Sequence, residues 1–539
     1  SRLKLGWHSP VDQHHPRVFG LLLLLEAMCA ALKSSLALSA ALLAGLVAPA
    51  AAKKFLQFDP LSKQDVEASL ASELAGNVSA ERLGSLEAAL RPVFTSLPKS
   101  AGGGLGHQAV RYVLHRFFVQ RHGWYVKGLE PNGDTFSTRS PQASARSWVP
   151  SYLQERFEAQ AAGRGVQLHD LAVLAATLED LVGRESALEL EEVYRVLELP
   201  LKRSIGKPDA VEALRTYMMV YLIQRNISLS GPREASRKRE KFAQKYSGWA
   251  EADGWVTAVE QRHSAFAQGG RVSFAEASRV AAEIGEEFAT FNDRECMDLK
   301  KTLMGMEGQG GKAGRVRLHD FYNMSLFTHW RFNEKPEYLR ELGALDESEP
   351  SRPLVILPNY VSAFSNCLKA TSLYAVCCRN ECEDLMGHLE REVAATSAPP
   401  ALVAELVEAL PSATVQAPRE LPAKLRQRLR EIAAVHGGEV NLHGRLFAQW
   451  MHHAFPHECP YPHEAGTTNP QTADEWMQQG REAHASTEEM RKYVEDACAA
   501  NGAHEAEAPQ GAEEAELPWS DAEELLAVQP PRRGAGGRA

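Results

Sequence analysis

Apolar residues recur at three- and four-residue intervals along nearly every stretch beyond Lys53. Examples are Leu168, Leu171, Leu174, Leu178 and Leu181; Leu214, Tyr217 and Tyr221; Ala401, Leu402, Leu406 and Leu410; and Leu425, Leu429 and Ile432. On a helix this spacing lines one face, so each series predicts an amphipathic α-helix that buries that face. Strand-length alternation of apolar and polar residues is nearly absent. The pattern predicts a mainly α fold.

The helices are punctuated by a repeated small motif: a branched residue, a spacer, an apolar residue, a second spacer and usually an acid that opens the next helix. It occurs at Val316, Leu318 and Asp320; at Val272, Phe274 and Glu276; at Leu188, Leu190 and Glu192; and at Val440, Leu442 and Gly444. Each copy follows an apolar helix and a glycine-bearing or polar loop. The motif resembles the second half of an EF-hand loop, in which a glycine at position six turns the chain, a β-branched residue sits at position eight, and an acid at position twelve begins the exiting helix. Gly314, Val316 and Asp320 match those places, as do Gly270, Val272 and Glu276. The resemblance covers Leu168–Tyr194 and Arg271–Tyr322 and, more weakly, Leu425–Trp450. It implies a multi-helix array of EF-hand-like helix-loop-helix pairs with very short β contacts in the loops.

Calcium affinity in such loops comes from oxygen ligands at positions one, three and five together with the acid at twelve. Those first positions are Gln309, Gly311 and Ala313 in the Asp320 copy and Ala265, Ala267 and Gly269 in the Glu276 copy. The Leu188 copy places Glu185 at five and Glu192 at twelve, with Leu181 and Gly183 before them, and Gly444 stands at twelve in the last copy. The calcium-like positions are thus Glu185, Glu192, Glu276 and Asp320, without a tight coordination sphere. The resemblance implies hands that keep the scaffold and bind a partner protein, with no cofactor expected; calcium or a transition metal is the alternative.

At the N-terminal end Met28, Lys33, the apolar run Leu36–Val47 and Ala50, Ala51 and Ala52 have the build of a secretory signal peptide. This reading makes 28–52 the signal and 1–27 a leader or non-native extension. Fused with the upstream leucines, the same apolar run is an uncleaved anchor in the alternative reading. Beyond the signal no apolar run reaches the roughly 20 residues of a membrane span. The implied compartment is the secretory pathway, lumenal or extracellular, where disulfides persist. Cys296, Cys367, Cys377, Cys378, Cys382 and Cys459 are the expected bridge partners, with connectivity open and Cys498 left over. The adjacent Cys377 and Cys378 favour bridges running in different directions. Three sequons, at Asn77, Asn226 and Asn323, are the expected glycosylation sites.

Between His443 and His463 the chain carries five histidines and a cysteine. His452, His453, His457 and His463 are candidate metal ligands by composition. Spacing argues against a helix-borne site, because Pro456 separates His453 from His457 and no His-Glu-x-x-His occurs. Cys459 in this proline-rich stretch is more simply a disulfide partner.

The net charge of −10 is concentrated in the tail, where eight carboxylates beyond Asn501 face three arginines. The remainder is close to balanced, which excludes a general nucleic-acid footprint. No phosphate loop, dinucleotide fingerprint or nucleophile elbow lies in the required context. Composition divides the chain into a helical N-terminal unit at 53–150, an EF-hand-like helical domain at 151–345, a Cys/His-rich helical region at 346–465, and 466–539, a terminal helix with an acidic tail expected to be disordered. The expected function is a disulfide-stabilised helical binding or scaffold protein of unknown oligomeric state. The alternatives are a calcium-regulated sensor or buffer, and a metal-dependent enzyme using the Cys/His-rich region.

Overall fold

A computed structural model describes residues 61–74, 79–129, 148–161, 163–223, 228–268, 270–308, 312–328, 331–367, 369–371, 373–502 and 519–525. The expected leader and signal, and the sequons at Asn77 and Asn226, lie outside these residues. The described chain is mainly helical with short strands, as the periodicity predicts.

The first part comprises α1 (Lys63–Leu74), α2 (Ala80–Ser96), α3 (His107–His122), β1 (Trp124–Val126), α4 (Trp148–Ala161) and α5 (Leu168–Val196). It continues through β2 (Ile205–Gly206), α6 (Lys207–Ile223), α7 (Pro232–Lys245), α8 (Trp249–Arg262), α9 (Ser264–Ala267), β3 (Arg271–Val272) and α10 (Phe274–Met304). One apolar core runs from Leu61 to Ala289 and takes in Leu373, Tyr374 and Val376. This core crosses the boundary expected at residue 150, because α4 and α5 pack on the same interior as α2 and α3.

The long helices α5 and α10 form the spine of this part. Both glycines at their crossing lie close to the neighbouring helix: an added Cβ on Gly183 would stand 3.7 Å from the Ala282 side chain, and one on Gly285 3.3 Å from Ser186 Oγ. Small residues at such a crossing let two backbones approach. The motif read at Leu181–Glu192 is therefore corrected: these residues lie inside the unbroken helix α5, where Gly183 faces α10.

A second core gathers β4 (Arg315–Arg317), α11 (Leu318–Thr328), α12 (Pro336–Glu341), β5 (Leu345–Asp346), β6 (Leu354–Ile356) and α13 (Leu357–Val361). The strands form one small sheet in the order β4-β6-β5. The boundary expected at residue 345 falls inside that sheet. β7 (Lys369–Ala370) and β8 (Tyr374–Val376) follow, and β8 pairs back to β1 with Trp124 opposite Val376. The third core belongs to α14 (Cys382–Val393), β9 (Ser397–Ala398), α15 (Pro400–Ala409), α16 (Ala423–Val435), β10 (Val440–Asn441) and α17 (Arg445–Ala454). Finally α18 (Ala473–Gln478) and α19 (Thr487–Gly502) return to the second core through Trp476 and Met490.

No described helix is long and apolar enough to cross a membrane. The run Tyr217–Ile223 lies in α6, where Tyr217, Met218, Met219 and Tyr221 are buried.

Candidate functional site

Three of the four motif copies make short antiparallel contacts with a second loop. Val272 pairs with Ile205, Val316 with Val355, and Val440 with Ala398. A fourth contact joins Leu105 to Val166. Setting each paired apolar residue at position eight, the eight loops carry only one carboxylate at positions one, three or five, Glu198, with Lys202 at five of the same loop.

The acids at position twelve have another task. Glu276 is the third residue of α10, where its carboxylate accepts from the Ser273 N–H and hydroxyl at 2.7 Å each, while Ser273 Oγ accepts from the Glu276 N–H. Asp170 accepts from the Gln167 N–H at 3.1 Å and opens α5 in the same way. These are capping boxes that satisfy helix N–H groups otherwise left without partners. The Ser273 hydrogen bonds hold the Glu276 carboxyl below its ordinary range. Asp320 lies in the first turn of α11, 3.1 Å from His319 Nε2. Glu185 and Glu192, both within α5, turn elsewhere: Glu185 accepts from the Thr371 hydroxyl at 2.8 Å, and Glu192 pairs with Arg195. Thus the four calcium-like acids are not brought together.

All six expected cysteines are bridged, as Cys296–Cys378, Cys367–Cys377 and Cys382–Cys459. The adjacent Cys377 and Cys378 take different partners. Cys296 is the first residue of the second core, and Cys382 and Cys459 are the first and last buried residues of the apolar cluster in the third. Beside them Lys300 is buried between Glu381 at 2.7 Å and Glu458 at 3.2 Å. Arg116 of α3 is likewise buried, and it pairs with Glu383 and Glu390 of α14; Glu390 also meets His443 at 2.8 Å.

The histidines do not assemble into one centre. His452 is fully buried, its Nδ1–H donating to the Cys459 carbonyl (2.7 Å) and its Nε2 accepting from Arg315 (3.1 Å). Burial and the Arg315 charge push its pKa down to about 3, so both ring nitrogens are engaged in a neutral imidazole. His457 meets Glu307 at 2.8 Å, His463 donates to the Gly343 carbonyl at 2.8 Å, and His453 stacks on Trp519. No group of three metal-ligating side chains is found among the described residues. The four candidate ligands are not brought together: His452, His457 and His463 make separate hydrogen bonds and His453 a ring contact, and these tie the proline-rich segment to the second and third cores.

These contacts border a cleft of about 380 Å³ lined by Arg315, Asp346, Tyr461, His463 and Trp519, among others. Arg315 Nε stands 2.8 Å from Asp346 Oδ2. Burial pushes the Asp346 carboxyl up, but the Ser348 N–H and Arg315 outweigh it and hold the group below its ordinary range.

Trp519 belongs to a segment that the sequence reading assigned to a disordered tail. Residues 519–525 are instead docked across α17 and the adjoining loop. Ser520 N donates to Gln449 Oε1 (3.3 Å), Arg445 donates to the Ala522 carbonyl (2.8 Å), and the Arg445 N–H donates to the Glu524 carbonyl (3.0 Å). The residues missed by sequence reasoning are therefore Trp519, Glu523, Arg445 and His436, the last 2.6 Å from Glu523. The available signal was Trp519 and Leu525 flanking acids within a polar, alanine-rich run. The exposed Asn323 lies within α11 while Ser325 of its sequon is buried, so this motif is helical and not in a surface loop.

Comparison with protein families, with curated proteins and with solved structures finds no match for this chain.

Proposed function

We propose that the protein is a disulfide-stapled helical binding scaffold of the secretory lumen or the extracellular space, built on degenerate EF-hand-like pairs. The observation that carries this reading is the loop pairing: apolar residues join in short β contacts while Glu276 and Asp170 at position twelve cap helices and the earlier ligand positions are almost devoid of carboxylates. Loops of this kind hold helix pairs at a set angle without an ion and leave helix faces and grooves for a partner. The three bridges support an oxidising compartment. Thermal unfolding with and without micromolar calcium tests the reading. We expect superimposable melts; an upward shift of several degrees would make the protein a calcium-regulated sensor or buffer. Intact-mass measurement before and after reduction tests the compartment, and six free thiols in the unreduced protein would overturn it.

A further inference from the structure

We propose that the groove at the N-terminal end of α17 is a recognition site for an extended acidic segment with a tryptophan four residues before a glutamate. Residues 519–525 occupy it in cis, and a partner protein carrying such a segment displaces them. This deepens the scaffold reading and rests on it.

The start of α17 lacks an acceptor of its own. Gly444 is the N-cap of α17 and has no side chain to accept from the first N–H groups. The docked segment supplies the acceptors: Glu523 Oε1 takes the Leu446 N–H at 3.1 Å and the Glu524 carbonyl takes that of Arg445. A carboxylate here meets unpaired donors and the positive end of the helix dipole together. Glycine makes the space, since a Cβ on Gly444 would stand 3.1 Å from both Glu523 carboxylate oxygens and 3.2 Å from Leu525. In this loop position twelve is thus empty in its own sequence, and the acid comes from about eighty residues further along the chain.

The rest of the groove is shaped to the same segment. Arg428 lies over the Trp519 ring at 5.0 Å, and His453 stacks on it with ring centroids 6.2 Å apart. His436 reaches the second Glu523 oxygen, and the Ala465 N–H reaches Glu524 Oε1 at 3.0 Å. Main-chain contacts continue through Ala522 and the bridge from Leu525 to Gly444. The groove therefore presents cations, ring faces and N–H donors, while the segment presents an aromatic ring, carboxylates and carbonyls. Such a division of roles is that of peptide recognition by backbone and pockets together. The segment remains at the surface, with Asp521, Glu524 and Leu525 exposed, and it is tethered through residues 503–518, so its cis occupancy is favoured by effective concentration and open to competition.

The test is a labelled synthetic peptide spanning residues 517–527, titrated by fluorescence anisotropy into the full chain and into its Trp519→Ala/Glu523→Ala variant. The variant, freed of its own competitor, is expected to bind the peptide at least about tenfold more tightly than the unaltered chain. Adding Arg428→Ala and His436→Ala to that variant should weaken binding at least about tenfold. Hydrogen exchange gives a second reading: the Arg445 and Leu446 amides should be slow in the full chain, fast in the variant and slow again with peptide. Equal binding to both chains, or none to a variant whose melt is unchanged, would overturn the proposal. Global unfolding of the variant would overturn it too, by making the segment part of the core. A concentration-dependent dimer lost on the tail substitutions would replace the outside partner with a second copy. A calcium-dependent melt, by contrast, would sink the scaffold reading and leave the peptide titration intact.

Discussion

Replacing both cysteines of the Cys382–Cys459 bridge by alanine removes the constraint around the whole third core. The bridge spans a separation of 77 residues, and the apolar cluster it encloses begins at one of its cysteines and ends at the other. Chain-entropy arithmetic for a loop of that size gives a loss of about 4.5 kcal/mol, because the opened unit gains the freedom the bridge denied it. The same arithmetic gives about 2.8 kcal/mol for Cys367–Cys377, whose separation is 10. Both sulfurs of the long bridge are buried, so their removal also leaves small voids, which makes the first figure a lower bound. Native-state hydrogen exchange of the buried α17 amides, at Trp450 and Met451, reads the opening of this unit directly. A loss of about 4.5 kcal/mol corresponds to exchange faster by roughly three powers of ten. The Cys367→Ala/Cys377→Ala variant should leave these amides far less affected. Should α17 exchange change by less than about tenfold, or should the short bridge matter more to it, the bridges would not be acting on the cores they enclose.

Other expectations concern single side chains. Arg116→Met removes the guanidinium partner of the half-buried Glu383 and of the buried Glu390, which keeps only His443, with a cost of about 3–5 kcal/mol at neutral pH by urea unfolding. With Arg116 present, Glu390 is held below its ordinary range despite burial, so this group adds stability above the unfolded carboxylate pKa that is lost as the pH falls, whereas burial holds Glu383 above its range and acts in the opposite sense. In the variant the carboxyls should titrate upward, and the deficit should shrink on acidification; a pH-independent deficit would refute the pairing. His452, with its pKa lowered to about 3 by burial, favours the native state above the unfolded histidine pKa and weakens it as the pH falls towards 3. This group alone should cost about 2 kcal/mol between pH 6.5 and 5, and His452→Gln should flatten the stability profile by that amount. Gly314 has φ of 72° and lies against the Pro456 carbonyl, where an added Cβ would sit at 2.1 Å. Gly314→Ala should therefore lower stability by at least about 2 kcal/mol in thermal or urea unfolding, and a neutral outcome would contradict this approach of the second and third cores.

Much of the architecture is legible along the chain because its causes are local. Apolar spacing predicts α6, α15 and α16, and Ser273 with Glu276 marks the start of α10 by a capping box whose two partners are three residues apart. The motif copies at Val272, Val316 and Val440 stand where the structure has short strands. Their pairing with Ile205, Val355 and Ala398 was not legible, since strands of two or three residues have too little pattern to distinguish them from any loop. The Leu188 copy misled for a related reason: its spacing also fits one face of a continuous helix, and only the packing of α5 on α10, with Gly183 opposite Ala282, shows that no loop is there.

The sequence alone determined the helical class, the six cysteines that bridge and the near-absence of carboxylates at the early loop positions, because composition and short-range periodicity carry those properties. Tertiary structure decided the rest. Which cysteine meets which, why the histidines share no centre, and how Glu523 comes to cap the helix after Gly444 all depend on groups far apart in the chain. Their proximity is set by packed helices, and no local spacing encodes a contact that exists only after that packing.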